Sequence, residues 1–158
     1  MNFKKVLTNG CFCVNLKGET KKAIIEEMID LLVAANKIPD REAALNAVLE
    51  RERKMSTGMQ HGVAIPHGKT NSVADLVTVL ALKKEGVDFA SLDGKPSAIF
   101  VLTLSPLNQT GPHMQYLTEI SKLLNSSSRR TQLLAAGTEE EVVKILTDEQ
   151  PHHDPDQG

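Results

Sequence analysis

Tryptophan is absent from this chain of 158 residues, and a single tyrosine accompanies four phenylalanines. A core built from such a sequence must be aliphatic. A stacking surface for single-stranded nucleic acid, which relies on aromatic platforms, is not expected. A strong charge of one sign is missing too: Lys plus Arg number 18 and Asp plus Glu 20, for a formal net charge of −2. Without a basic field, nothing drives counterion release from a nucleic acid. No apolar run approaches the roughly 20 residues a membrane helix requires, so direct membrane insertion is not expected. The segment Met1–Gly10 carries two lysines but no apolar stretch suited to a signal peptide, and a cytoplasmic protein is the expectation. Cysteine is scarce, with only Cys11 and Cys13. In an extended segment the two share a face and read as reduced, half-buried thiols. Two thiolates alone cannot complete a zinc site of about four ligands. No cofactor or metal is expected.

What is present reads as one α/β domain over residues 1–147, followed by a disordered tail over 148–158 that holds His152 and His153. Cys11 to Leu16 reads as a first strand or extended segment. From Thr20 the period changes: Ala23, Ile24, Met28, Leu31, Leu32 and Ala35 recur at three and four, the pattern of an amphipathic helix. Asp40 can cap a second helix. It runs out in the charged stretch Glu50–Lys54. A small-residue loop, Ser56–Gly62, follows. Val63-Ala64-Ile65 reads as a strand that Pro66 brings to an end, leaving His67 on the rim beyond it. Leu76–Leu82 and Ala98–Leu104 are continuous apolar runs, as in strands covered on both faces. Gly86 and Asp93-Gly94 punctuate the chain between them. A helix is expected from about His113, a short one around Leu133 and Leu134, and a last one opened by the capping box Thr138–Glu141. The expected architecture is a mixed sheet sandwiched by helices on both faces.

The richest chemistry surrounds His67. A neutral imidazole is a nucleophile available near neutral pH, and it can carry a phosphoryl group reversibly. Phosphoryl transfer then asks the protein mainly for positioning and charge stabilisation. Ser56 and Thr57 offer hydroxyls. Gly58, Gly62 and Gly68 allow close backbone approach, and Arg51 offers a planar fork. His113, at an expected helix start, could support the phosphate. Each residue also has a plainer reading: His67 and His61 as loop side chains, His113 as a capping or surface group, Arg51 as a solvated helix-end charge. On that reading Glu52 merely pairs with a nearby lysine, worth about 0.2–0.5 kcal/mol. A metal-dependent hydrolase using His61, His67 and His113 is the competing enzyme reading. Against it, no H-E-x-x-H occurs, and no G-x-S-x-G elbow supports a serine hydrolase. A binding module without phosphotransfer is a third reading.

The string Ser56-Thr57-Gly58-Met59-Gln60-His61-Gly62-Val63-Ala64-Ile65-Pro66-His67-Gly68-Lys69 resembles the active-site signature of the enzyme IIA proteins of the fructose/mannitol/nitrogen type, part of the bacterial phosphoenolpyruvate-dependent phosphotransferase system. Arg51-Glu52, Val87-Asp88-Phe89, Leu92-Asp93-Gly94 and His113 extend the resemblance, which runs from about Cys11 to Leu146. It implies an α/β sandwich in which His67 accepts phosphate on Nε2 from the phosphocarrier HPr. It further implies that His113 supports the phosphate and that Arg51 and Thr57 line the site. Phosphate would pass onward to a cysteine of a separate IIB protein, or its presence would be read by a regulatory target. With no cysteine beyond Cys13, a fused IIB domain is not expected. This favours the nitrogen-type regulator over the sugar-specific component. The docking rim around His67 is expected to be partly apolar, with Met59 and Val63 as candidates.

Overall fold

The structure, a computed structural model, describes residues 1–148. Six helices and five strands follow in the order α1 (Phe3–Thr8), β1 (Cys11–Cys13), α2 (Lys21–Ala34), α3 (Arg41–Lys54), β2 (Val63–Ala64), β3 (His67–Lys69), β4 (Val77–Val87), β5 (Ser97–Ser105), α4 (Thr110–Leu124), α5 (Ser127–Ala135) and α6 (Glu139–Thr147). The helix starts obey local chemistry. Thr20, Asp40 and Thr138 each accept a hydrogen bond from the backbone N–H three residues on, at 3.1, 3.1 and 3.2 Å. Such caps satisfy donors that a first turn cannot. Glu141 reaches back to the Gly137 N–H at 3.3 Å, closing the expected box one residue earlier than the standard pattern.

The sheet runs β1-β4-β5-β2, with β3 also on β5. The β4–β5 pair is antiparallel and the other pairs are parallel. Side chains alternate along the central strands, and both faces are covered. Val79, Ala81, Phe100 and Leu102 join α2 and α3 in one core. Leu80, Leu82, Ile99 and Val101 join α1, α4, α5 and α6 in the other. The mixed, doubly covered sheet is therefore the one the sequence implied.

Four local expectations change. The N-terminal segment forms α1, capped by the Asn2 side chain and anchored by the fully buried Leu7; six residues are too few for a helical period to show. Strand β4 continues five residues past Leu82 through Lys83-Lys84-Glu85, across a register irregularity, with Gly86 at φ +80°. Helix α4 begins at Thr110, because Gly111 and Pro112 are tolerated in a first turn whose N–H groups lack partners anyway. Most important for the site, Pro66 interrupts the edge strand without ending it. Its carbonyl still accepts from the Thr103 N–H at 3.1 Å, and β3 resumes on β5 in the register of β2. His67 accordingly stands on a strand, not on a loop beyond one.

Both cysteines are free thiols, half-buried against the α2–α3 core, and burial raises their pKa values above the ordinary one. The expected tail over 148–158 lies, apart from Asp148, outside the described residues, as do His152 and His153. No helix among the described residues is long and apolar enough to cross a membrane.

Candidate functional site

Strand register decides which way His67 faces. It pairs directly with Thr103, and Lys69 pairs with Ser105, so His67, Thr103 and Ser105 share the sheet face under α4. Gly68 points the other way. A Cβ there would meet the backbone of Ala47 and Val48 in α3 at 2.9 Å. The glycine therefore serves the close packing of β3 on α3.

The His67 ring is tethered. Its Nδ1 lies 2.9 Å from the Ile65 carbonyl oxygen. A carbonyl only accepts, so Nδ1 carries the proton and donates it, and Nε2 of the neutral ring holds the free lone pair. Burial pushes the imidazole below its ordinary pKa, the Ile65 bond opposes this, and the charge of Arg51 adds to the lowering. The ring is thus neutral at pH 7, as a nucleophile requires.

His113, in the first turns of α4, lies with its ring centroid 5.4 Å from that of His67, at an interplanar angle of 61°. It is 1% exposed. Its Nδ1 is hydrogen-bonded to the Ser105 hydroxyl. Burial first, and then repulsion from His67 once it is protonated and from the Lys69 ammonium, push its pKa down to about 4. Among the described residues only two buried side-chain polar atoms lack a partner, His113 Nε2 and Thr103 Oγ1. Both belong to neighbours of His67.

The opposite flank is closed. Glu52, 7% exposed, accepts the Thr57 N–H at 2.8 Å and the Thr57 hydroxyl at 2.6 Å, and pairs with Lys21 of α2 at 2.7 Å. Ser56 donates its hydroxyl to the Phe89 carbonyl at 2.7 Å and accepts from Gly58 N–H and Lys21 Nζ at 3.0 and 3.3 Å. The hydroxyls of Ser56 and Thr57, expected to face a phosphate, are spent on the scaffold. Glu52, whose plainer reading is a weak pair with a nearby lysine, does pair with one, but as the hub of a buried network. Arg51 donates one guanidinium nitrogen to the Met55 carbonyl at 2.7 Å, and the remainder of its fork has no protein acceptor among the described residues. Lys69 Nζ reaches Thr110 Oγ1 at 2.8 Å, beside the start of α4.

The Ser56–Gly62 loop folds back on the edge strand through Ile65 N–H to Thr57 O and Met59 N–H to Val63 O, at 3.1 and 2.7 Å. Its tip, with φ +64° at His61 and +76° at Gly62, has the two left-handed residues of a type I′ turn. His61 is held there through its N–H to Asp93 at 3.2 Å and makes no ring contact with His67 or His113. No group of three or more His, Cys, Asp or Glu side chains among the described residues could hold a metal. Beside this loop lies a groove of about 260 Å³ whose lining includes Met59, Ile65, Leu92 and Leu124. Met59 is exposed as expected of a docking rim. Val63 is buried and forms only its wall.

Thr103 and Ser105 were missed from sequence, yet they left a signal. A threonine inside an apolar run of a doubly covered strand, and a serine at its end, are polar groups that burial must either satisfy or leave for a ligand.

A doubly covered mixed sheet thus sets a neutral, tethered strand histidine beside a second, buried one. Residues 5–149 match the family described as phosphoenolpyruvate-dependent sugar phosphotransferase system, EIIA 2, and the chain belongs to that family. It is 37% identical over 129 residues to the fructose-specific EIIA component of Haloferax volcanii, covering 82% of this chain and 84% of that one. It is 30% identical over 152 residues to the nitrogen regulatory protein of Pseudomonas aeruginosa, covering 95% and 97% of the two chains. Against the fructose-specific EIIABC component of Bacillus subtilis it is 35% identical over 146 residues but spans only 23% of that relative's length. The crystal structure of the nitrogen regulatory protein IIA-Ntr from Neisseria meningitidis superimposes with a TM-score of 0.76 at 31% identity, covering 86% of this chain and 92% of that one.

Proposed function

We propose that His67 takes a phosphoryl group on Nε2 from a phosphorylated HPr-type carrier, and that the chain acts as a nitrogen-type regulatory IIA protein whose phosphorylation state selects its partners. The observation that carries this reading is the tether from His67 Nδ1 to the Ile65 carbonyl, which leaves Nε2 bare. In the transfer, the Nε2 lone pair attacks phosphorus. The bond from phosphorus to the donor's nitrogen breaks, and that nitrogen keeps the electron pair. Nδ1 retains its proton throughout. The phosphoryl oxygens arrive beside the positive charges of Arg51 and Lys69, both of which His67 already senses. Charge-assisted contacts of this kind are the main help a protein can give such a group. His113 Nε2, buried without a partner, gains one. His67 itself is only half-buried, as a group that must meet a second protein requires. The near full-length match to the Pseudomonas nitrogen regulatory protein supports the regulatory branch of the reading.

A second reading has its own support in the 37% identity to a fructose-specific EIIA component. In it, His67 passes the phosphoryl group to the cysteine thiolate of a separate IIB protein during sugar uptake. Two measurements test these readings. Incubation with phosphoenolpyruvate, enzyme I and HPr should add one acid-labile phosphate to the intact mass of the wild type and none to His67→Ala. Absence of that gain, with HPr itself phosphorylated, would sink both readings. Mixing the phosphorylated protein with a purified fructose-type IIB then separates them: rapid loss of the phosphate to the IIB cysteine selects the sugar-specific reading, and retention selects the regulatory one.

A further inference from the structure

Two histidines 5.4 Å apart have Nδ1 partners of different chemistry. His67 Nδ1 faces a carbonyl, and His113 Nδ1 faces a hydroxyl. A carbonyl accepts only, so it fixes the proton on Nδ1. A hydroxyl can also donate, so it can leave the ring proton on Nε2. We infer that Ser105 is a positioning residue that donates its hydroxyl proton to His113 Nδ1 and thereby holds His113 as the Nε2–H tautomer, set to donate to the phosphoryl group on His67. The inference rests on His67 being the phosphorylated residue.

The alternative tautomer fails on physical grounds. His113 is buried and neutral, with one proton for two ring nitrogens. Were that proton on Nδ1, Nε2 would present a lone pair to anionic oxygens, and the contact would be repulsive. A carboxylate or carbonyl in place of Ser105 would impose that wrong state. Ser105 is well placed to set the right one. It is fully buried as the last residue of β5, its carbonyl accepts the Thr70 N–H at 2.9 Å, and Lys69 is its register neighbour. The hydroxyl therefore aims at α4 from a fixed strand end. Nδ1–H on His67 gives a nucleophile, and Nε2–H on His113 gives a ligand for the product. One site thus holds the same side chain in two opposite tautomers.

The test is nitrogen NMR on protein labelled with ¹⁵N in its histidine rings, where shifts and ring couplings report the tautomer. The wild type, free and after incubation with phosphoenolpyruvate, enzyme I and HPr, should show His67 as Nδ1–H and His113 as Nε2–H. Ser105→Ala should shift His113 away from Nε2–H and slow phosphoryl acceptance about tenfold, the worth of one hydrogen bond, with the apparent affinity for HPr unchanged. Ser105→Thr, which keeps the hydroxyl, should restore both, and urea midpoints on each variant separate loss of fold from loss of tautomer. His113 found as Nδ1–H in the wild type, or a folded Ser105→Ala with unchanged tautomer and rate, would overturn the inference. If the wild type takes no phosphate at all, the phosphocarrier reading fails and takes the phosphoryl contact with it, and the free-state tautomer still decides whether Ser105 holds His113 as Nε2–H.

Discussion

The two flanks of His67 are built on opposite rules. On the α3 flank, Glu52 gathers the Thr57 N–H, the Thr57 hydroxyl and the Lys21 ammonium, and Ser56 is bonded on three sides. On the α4 flank, His113 Nε2 and Thr103 Oγ1 are buried without partners. Native proteins pair nearly all buried polar groups, so the fact that both exceptions among the described residues fall beside His67 carries information. The closed flank fixes the signature loop against the sheet. On the proposed function, the open flank keeps bonding capacity for the phosphoryl group on His67. On that same reading, satisfaction marks scaffold here, and its absence marks the proposed place of reaction.

The largest expected effect breaks the closed flank at its hub. Glu52→Ala leaves the buried Thr57 N–H and hydroxyl without an acceptor and Lys21 without its carboxylate, which should cost about 4 kcal/mol of stability. Urea unfolding checks this; a loss under about 1 kcal/mol would mean that the network contributes little and the comparison of flanks is wrong.

The open flank has its own signature in pH. The His113 pKa is about 4 in the folded chain, against an ordinary value of about 6.5 when unfolded. Between those values the unfolded chain binds a proton that the folded chain refuses. Stability is therefore complete above about pH 6.5 and falls as the pH drops towards 4, by about 3 kcal/mol from this residue. Urea midpoints at pH 7 and pH 4.5 should converge on replacing His113→Gln. An equal pH dependence in wild type and variant would remove His113 as the cause.

A smaller effect probes how β3 is seated. Gly68→Ala would drive a Cβ to 2.9 Å from the Ala47 and Val48 backbone. Either strand or helix must shift, at about 2 kcal/mol. Because that strand carries His67 on its other face, phosphoryl acceptance should drop as well, which intact mass at short incubation times reads.

The layering of the fold was legible because it rests on periodicity and caps. Thr20, Asp40 and Thr138 announce helices, and the runs Leu76–Leu82 and Ala98–Leu104 announce strands covered on both sides. His67, His113 and Arg51 were legible as a group only through the family resemblance; spacing alone left each with a plain reading. Partners across the fold were not legible. Nothing local in sequence tells that Glu52 will meet Lys21, 31 positions earlier by their residue numbers, instead of a helical neighbour. Nor does it tell that the Thr57 hydroxyl turns inward, or that β3 resumes after Pro66. Those follow from long-range register, which one sequence does not print.

The smallest effects make the sharpest comparison, because one substitution can be made on both flanks. Thr→Val exchanges a hydroxyl for a methyl at nearly constant volume. At Thr57 the hydroxyl donates to a buried carboxylate at 2.6 Å, so Thr57→Val removes a charge-assisted bond and should cost about 2 kcal/mol. At Thr103, fully buried, the hydroxyl bonds nothing, so Thr103→Val removes a desolvated polar group and should be neutral or stabilising by up to about 1 kcal/mol. Paired urea denaturation curves for the two variants give the answer. Equal costs would mean that Thr103 finds a partner after all, and the α4 flank would be as closed as the other. Opposite signs, with slower phosphoryl acceptance in Thr103→Val, would show that this hydroxyl is kept at the expense of stability for the phosphorylated state.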